Sequence, residues 1–173
     1  MPRIVIVVAD AVRARFFTFE PEEVPDAGHG GHVIEQAVLL NSERRLKASD
    51  LFTESRPPLG HSSPFGPSSA SDDHREQHVR ELDHRFAVDI VRRIDIELDA
   101  HPAQRVVVAA GPHMLGVLRQ ALRGLRHKQI ELDDLALDLT RETPSRLHDH
   151  LARMAFVPPR MRARWATGRT QRG

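Results

Sequence analysis

The pattern of apolar runs predicts an α/β fold built on a mixed five-stranded sheet. Three observations carry that prediction. Ile4-Val5-Ile6-Val7-Val8 is a short β-branched run, too short for a buried helix and suited to a core strand. Arg105-Val106-Val107-Val108-Ala109-Ala110 is a second run, apolar almost throughout, as expected of a strand covered on both faces. Between them Val79, Leu82, Phe86, Ile90, Ile94 and Leu98 recur at three- and four-residue steps, which predicts one long amphipathic helix.

The remaining elements follow in order. Ala9-Asp10-Ala11 breaks the first run at a polar corner, and Arg13 to Glu20 reads as a second strand in which Phe17 and Phe19 share a face. Pro21 to Gly31 reads as a loop, because Pro21, Pro25, Gly28, Gly30 and Gly31 are all breakers. His32 to Leu40 is a third strand, so the three form an antiparallel meander. Pro57 to Ser71 is rich in Pro, Gly and Ser and is expected to be a flexible loop. Ser71-Asp72-Asp73 supplies capping and acidic residues for the start of the long helix, which ends near His101-Pro102. After the strand at 105–110, Gly111-Pro112-His113 makes a tight turn into a helix containing Met114, Leu115, Leu118 and Leu122. His127 to Leu132 is expected as a fifth strand. Thr143-Pro144 opens a last helix, with Thr as N-cap and Pro at the first position.

The order is therefore β-β-β-α-β-α-β-α: three antiparallel strands, then two parallel additions through right-handed crossovers. That topology is RNase-H-like by analogy. Residues 1–156 are expected as a single α/β domain and residues 157–173 as a basic, flexible tail.

Composition bounds the chemistry. The chain has 173 residues, a formal net charge of +1 and no cysteine, so thiol catalysis, disulfide scaffolds and Cys-based zinc sites are excluded. Nucleic-acid binding would come from local patches rather than from global charge. The N-terminus lacks a signal-peptide pattern. No apolar run approaches the roughly 20 residues that span a bilayer. A cytoplasmic location, with no membrane partner, is the expectation.

Four places carry chemistry. Asp10, at the end of the first strand, is where a nuclease of RNase-H topology holds a divalent metal, but such chemistry needs converging carboxylates, and the favoured reading is a turn-capping Asp. His74 and His78 are four residues apart on the long helix, a spacing zinc sites use. With 11 histidines in the chain a solvated helix face is the plainer reading. Gly111, Pro112 and His113 precede a helix N-terminus that can hold an anion, or they form only a corner. Arg160, Arg162, Arg164 and Trp165 combine phosphate-binding cations with one stacking ring. Gly28-His29-Gly30-Gly31-His32 has the wrong spacing for a dinucleotide loop and is expected to be a hairpin loop. No cofactor is expected.

Several stretches, taken together, resemble the bacterial host attachment protein family, named for a protein required for attachment to host cells. They are Val7-Val8-Ala9-Asp10-Ala11-x-Arg13-Ala14-Arg15-Phe16, Asn41-x-Glu43-x-Arg45, His74-x-x-Gln77, Val106-Val107-Val108-Ala109-Ala110-x-Pro112-x-Met114-Leu115-Gly116-x-Leu118-Arg119 and Asp138-Leu139-Thr140. That family is related to the central domain of archaeal and eukaryotic class I peptide-release factors. The resemblance implies a release-factor-like fold and, with the Arg clustering, a non-catalytic module that binds RNA or the ribosome. Release factors carry Gly-Gly-Gln between the third strand and the long helix. Pro57–Ser71 holds none, so release-type hydrolysis is not part of the expectation. The alternative is a metal-dependent hydrolase or nuclease using Asp10.

Overall fold

A computed structural model describes residues 3–24, 28–46, 69–127 and 129–160. Five strands form one sheet in the order β3-β2-β1-β4-β5. They are β1 (Ile4–Ala9), β2 (Arg13–Val24), β3 (Gly28–Leu40), β4 (Arg105–Ala110) and β5 (Glu131–Leu135). β1 is antiparallel to β2 and parallel to β4, and β5 is parallel to β4. The helices of ten residues or more among the described residues are α1 (Ser69–Ala100), α2 (Pro112–Ala121) and α3 (Pro144–Arg153); residues 42–46 and Leu122–Gly124 add short helical turns.

β1 is buried along its whole length, and its alternating side chains feed two cores. Val5, Val7 and Ala9 meet Phe86, Ile90 and Ile94 of α1 and Leu115 and Leu118 of α2. Ile4, Ile6 and Val8 face the other way, with Phe17 and Phe19, onto Leu147 and Leu151 of α3. The period of two thus sorts one strand between two helical layers. α1 closes its layer with the stripe Leu82, Phe86, Ile90, Ile94 and Leu98, all buried.

The structure differs from the sequence expectations at four boundaries. First, Pro21 to Gly31 is mostly strand, because β2 and β3 pair from Arg13↔Leu40 out to Val24↔Gly28. β1 stops pairing with β2 at Phe19, so Pro21 sits where β2 has only one neighbour and a missing N–H is tolerated. Second, residues 69–71 belong to α1; the rest of the expected loop, 57–68, lies outside the described residues. Third, β5 runs over 131–135. This edge strand is largely exposed, so its pairing is supported by charge: Arg105 reaches Asp133 at 2.5 Å and Glu131 at 3.6 Å, and Arg119 pairs with Asp134. Fourth, the chain does not leave the domain at 157. Val157 is buried, the Pro158 carbonyl accepts from His148 Nε2 at 2.8 Å, and Arg160 forks Asp149 with two bonds of 2.8 Å.

The turn that makes this possible is at the end of α3. The Phe156 N–H bonds the Leu151 carbonyl at 3.0 Å, and Ala155 adopts φ 61°. That is the left-handed helix terminus usually given to glycine.

Candidate functional site

The carboxyl ends of β1, β4 and β5 lie at one edge of the sheet, where open α/β folds place ligands. The sequence puts Asp10, His113 and the Asp138-Leu139-Thr140 segment there. The geometry shows what each does.

Asp10 caps the β1–β2 corner. Its Oδ1 accepts the Val12 and Arg13 N–H groups at 2.7 and 2.8 Å, while its own N–H bonds the Arg13 carbonyl at 2.9 Å. Oδ2 lies 3.1 Å from the Thr140 hydroxyl and 3.7 Å from Arg13 Nε. Asp138 Oδ1 lies 2.7 Å from the same hydroxyl and 3.0 Å from the Thr140 N–H. Thr140 is almost wholly buried, and its single hydroxyl proton is set between two carboxylates. Burial resists ionisation of Asp138. The Thr140 hydroxyl and amide, with Arg141 and Arg13 nearby, outweigh it and hold this carboxyl below its ordinary range.

Two arginines of β2 close the cluster. Arg13 Nη2 donates to the Thr140 carbonyl at 2.8 Å, and Arg15 Nη1 donates to the carbonyls of Thr140 at 3.1 Å and Glu142 at 2.6 Å. Arg15 also forks Glu35 across the strand pair at 2.8 and 2.7 Å and lies over the Phe17 ring. That fork holds the Glu35 carboxyl below its ordinary range, against the effect of partial burial. Asn41 adds Nδ2 to the Ala11 carbonyl at 3.1 Å. The cluster therefore ties three separated segments together: the β1–β2 corner, the end of β3 and the connector from β5 to α3.

A second constellation involves the start of α2. The Asp83 side chain, on α1, is fully buried. It accepts from Arg44 Nε at 3.1 Å and meets His113 Nε2 at 3.0 Å. A carboxylate only accepts, so that nitrogen carries a proton. The helix terminus formed by Gly111, Pro112 and His113 thus has a carboxylate beside its imidazole, and the Gly111 carbonyl accepts the Leu115 N–H at 2.9 Å.

The other sequence candidates do not join these clusters. His74 is exposed and His78 half-buried on the first turns of α1. Among the described residues no group of three or more His, Asp or Glu side chains is placed to hold a metal. Arg160 is engaged by Asp149; Arg162, Arg164 and Trp165 lie outside the described residues. Sequence reasoning missed Asp83. Its signal was a charged residue directly beside Leu82 on the buried stripe. It also passed over Thr140 and Arg15 as site residues, because their role appears only when distant segments meet.

Among the described residues no helix is long and apolar enough to cross a membrane. A family model described as "Protein required for attachment to host cells" matches residues 5–151. No curated protein matches the chain. Among solved structures, the RuvC structure of Thermus thermophilus aligns with 7% identity over 94% of this chain and 85% of that chain, at a TM-score of 0.37.

Proposed function

The chain belongs to the family of proteins required for attachment to host cells, and from that premise we propose that it is a non-catalytic binding module with a release-factor-like fold that engages RNA, in the first instance that of the ribosome. The observation that carries the non-catalytic part is the state of Asp10. The carboxylate that a nuclease would present to metal is spent on two backbone amides and faces a buried hydroxyl. A metal-dependent hydrolase would need further acids beside Asp10 and Asp138, and among the described residues no third one joins them.

The nucleic-acid part rests on the sequence. Arg160, Arg162, Arg164, Arg169 and Arg172 surround Trp165, and cations with an aromatic ring suit phosphates and an unstacked base. The packing of 157–160 on α3 sets the boundary for the test, since a chain ending at Arg160 keeps every contact described for 157–160. Co-sedimentation of the full chain with ribosomes is expected at about 50 mM salt and is expected to be lost by about 200 mM. A chain lacking 161–173 is expected to stay in the supernatant at both. No sedimentation at low salt, or sedimentation unchanged by the truncation, overturns the reading. A magnesium-dependent nuclease activity abolished by Asp10→Asn overturns its non-catalytic part.

A further inference from the structure

A concavity of about 290 Å³ lies away from the Asp10 cluster, between the outer halves of β2 and β3 and the start of α3. Small-molecule sites begin at about this size, roughly 300 Å³. Its walls bring together Glu22, Gly31, His32, Ser145, His148 and Arg160. The glycine-rich stretch of β3 and the first residue of the basic C-terminal run, which the fold itself leaves without a common purpose, meet here.

The wall is rigid. A Cβ at Gly31 would lie 2.4 Å from Phe19 Cζ and 2.5 Å from the Glu20 carbonyl oxygen, so β3 approaches Phe19 as only glycine allows. The Phe19 ring in turn sets its edge against the His148 ring, 5.8 Å between centroids and 86° between planes. His148 is 1% exposed. Its Nε2 is 2.8 Å from the Pro158 carbonyl, an obligate acceptor, so Nε2 bears a proton and Nδ1 is the acceptor whenever the ring is neutral.

Ser145 and Arg160 supply donors, whereas the Glu22 carboxylate is a second acceptor at the rim. Ser145 stands in the first turn of α3, where the helix end is positive and its own amide is the one left over, Pro144 having none and the Leu147 amide bonding the Thr143 carbonyl at 2.8 Å. The Thr143 cap takes only the Arg146 amide. Arg160 gives Nε and Nη2 to Asp149, and among the described residues Nη1 is not part of that fork. The more than half-exposed Glu22 carboxylate lies 3.1 Å from His32 Nε2.

Donors on Ser145 and Arg160 opposite the His148 ring, in a small space whose Glu22 carboxylate sits at the exposed rim beside His32, fit a group with several acceptor oxygens and one O–H. We propose that this cavity binds a phosphate monoester or inorganic phosphate, with Ser145 and Arg160 donating to its oxygens and His148 Nδ1 accepting from the P–OH. This site stands whether or not the chain binds ribosomes.

The test is titration calorimetry of the full chain with inorganic phosphate, AMP, adenosine and sulfate. Phosphate and AMP are expected to bind; tighter binding of AMP marks an ester as the preferred source, and equal binding marks the bare group. Adenosine is expected not to bind. Sulfate, which has no proton to give His148, is expected to bind more weakly than phosphate. Ser145→Asp places a carboxylate among the donors while suiting the helix end. It is expected to weaken phosphate at least about tenfold with an unchanged or raised unfolding midpoint. Arg160→Gln is expected to weaken it about as much. No heat with phosphate or AMP up to about 10 mM, adenosine binding as well as AMP, sulfate matching phosphate, or undiminished binding in Ser145→Asp each overturns the proposal.

Discussion

Replacing Thr140 by Val keeps the shape of the side chain and removes the hydroxyl that stands between Asp10 and Asp138. In the wild type that oxygen is 2.7 Å from one carboxylate and 3.1 Å from the other, in a residue 1% exposed. A hydrogen bond to a charged partner contributes about 1.5–3 kcal/mol. The Asp10 side chain keeps 32% of its exposure, so water can reach it, and the expected loss is about 2 kcal/mol rather than the top of that range. For a domain of this size that is a fall in Tm of about 4–8 °C. In urea it is a drop in midpoint of about 1 M, with m near 2 kcal/mol/M. The assay is equilibrium urea unfolding of the wild type, Thr140→Val, Thr140→Ser, Asp138→Asn and the double variant Thr140→Val/Asp138→Asn. Ser is expected to restore most of the loss, and the cycle is expected to show a coupling of about 1 kcal/mol or more. A Thr140→Val change below about 0.5 kcal/mol, or strict additivity with Asp138→Asn, would refute the claim that this hydroxyl ties the connector to the β1 corner.

Other outcomes follow from the same geometry. Leu151→Ala on α3 empties a fully buried site and is expected to destabilise by about 3 kcal/mol in the same urea assay. Ala155→Gly relieves the left-handed φ of 61° and is expected to stabilise by about 1 kcal/mol. The Glu35 and Asp138 carboxyls are held below their ordinary values in the fold. Their contribution is therefore present above the unfolded carboxylate range near about 4 and is lost as pH falls through the folded values. That contribution is expected to be flat on the alkaline side of about pH 5 and to decline below it, and Glu35→Gln is expected to reduce that slope. A slope unchanged by Glu35→Gln contradicts the assignment.

How much of this was legible in the sequence depends on the range of the interaction that decides it. β1, β4 and α1 were legible because each is specified by its own residues: a β-branched run, an apolar run and a stripe at helical spacing. Thr143-Pro144 marked the start of α3 for the same reason, and Thr143 does accept the Arg146 amide. Pro21 misled because a proline reads as a breaker unless one knows that β1 has already ended beside it. β5 was displaced because Ile130 and Leu132 outweigh Asp133 and Asp134 in any apolar count, whereas the strand is held by Arg105 and Arg119 from neighbouring elements. The cluster at Asp10 was half legible. Asp10, Asp138 and Thr140 stood out as motif residues, and the capping role of Asp10 follows from local turn chemistry. That one hydroxyl proton serves two carboxylates 128 positions apart (Asp10 and Asp138) is a fact of tertiary structure alone. So is the burial of Asp83, whose partners Arg44 and His113 come from opposite sides of α1 in sequence.

The central proposal is that the acid at the end of β1 serves the fold as a turn cap rather than as a metal ligand. The most direct test is thermal unfolding of the wild type and Asp10→Asn with and without millimolar Mg²⁺ or Mn²⁺. The account predicts a lower midpoint for Asp10→Asn and no rise for either protein on adding the ions. A midpoint that climbs with Mg²⁺ or Mn²⁺ in the wild type and stays put in Asp10→Asn would contradict it.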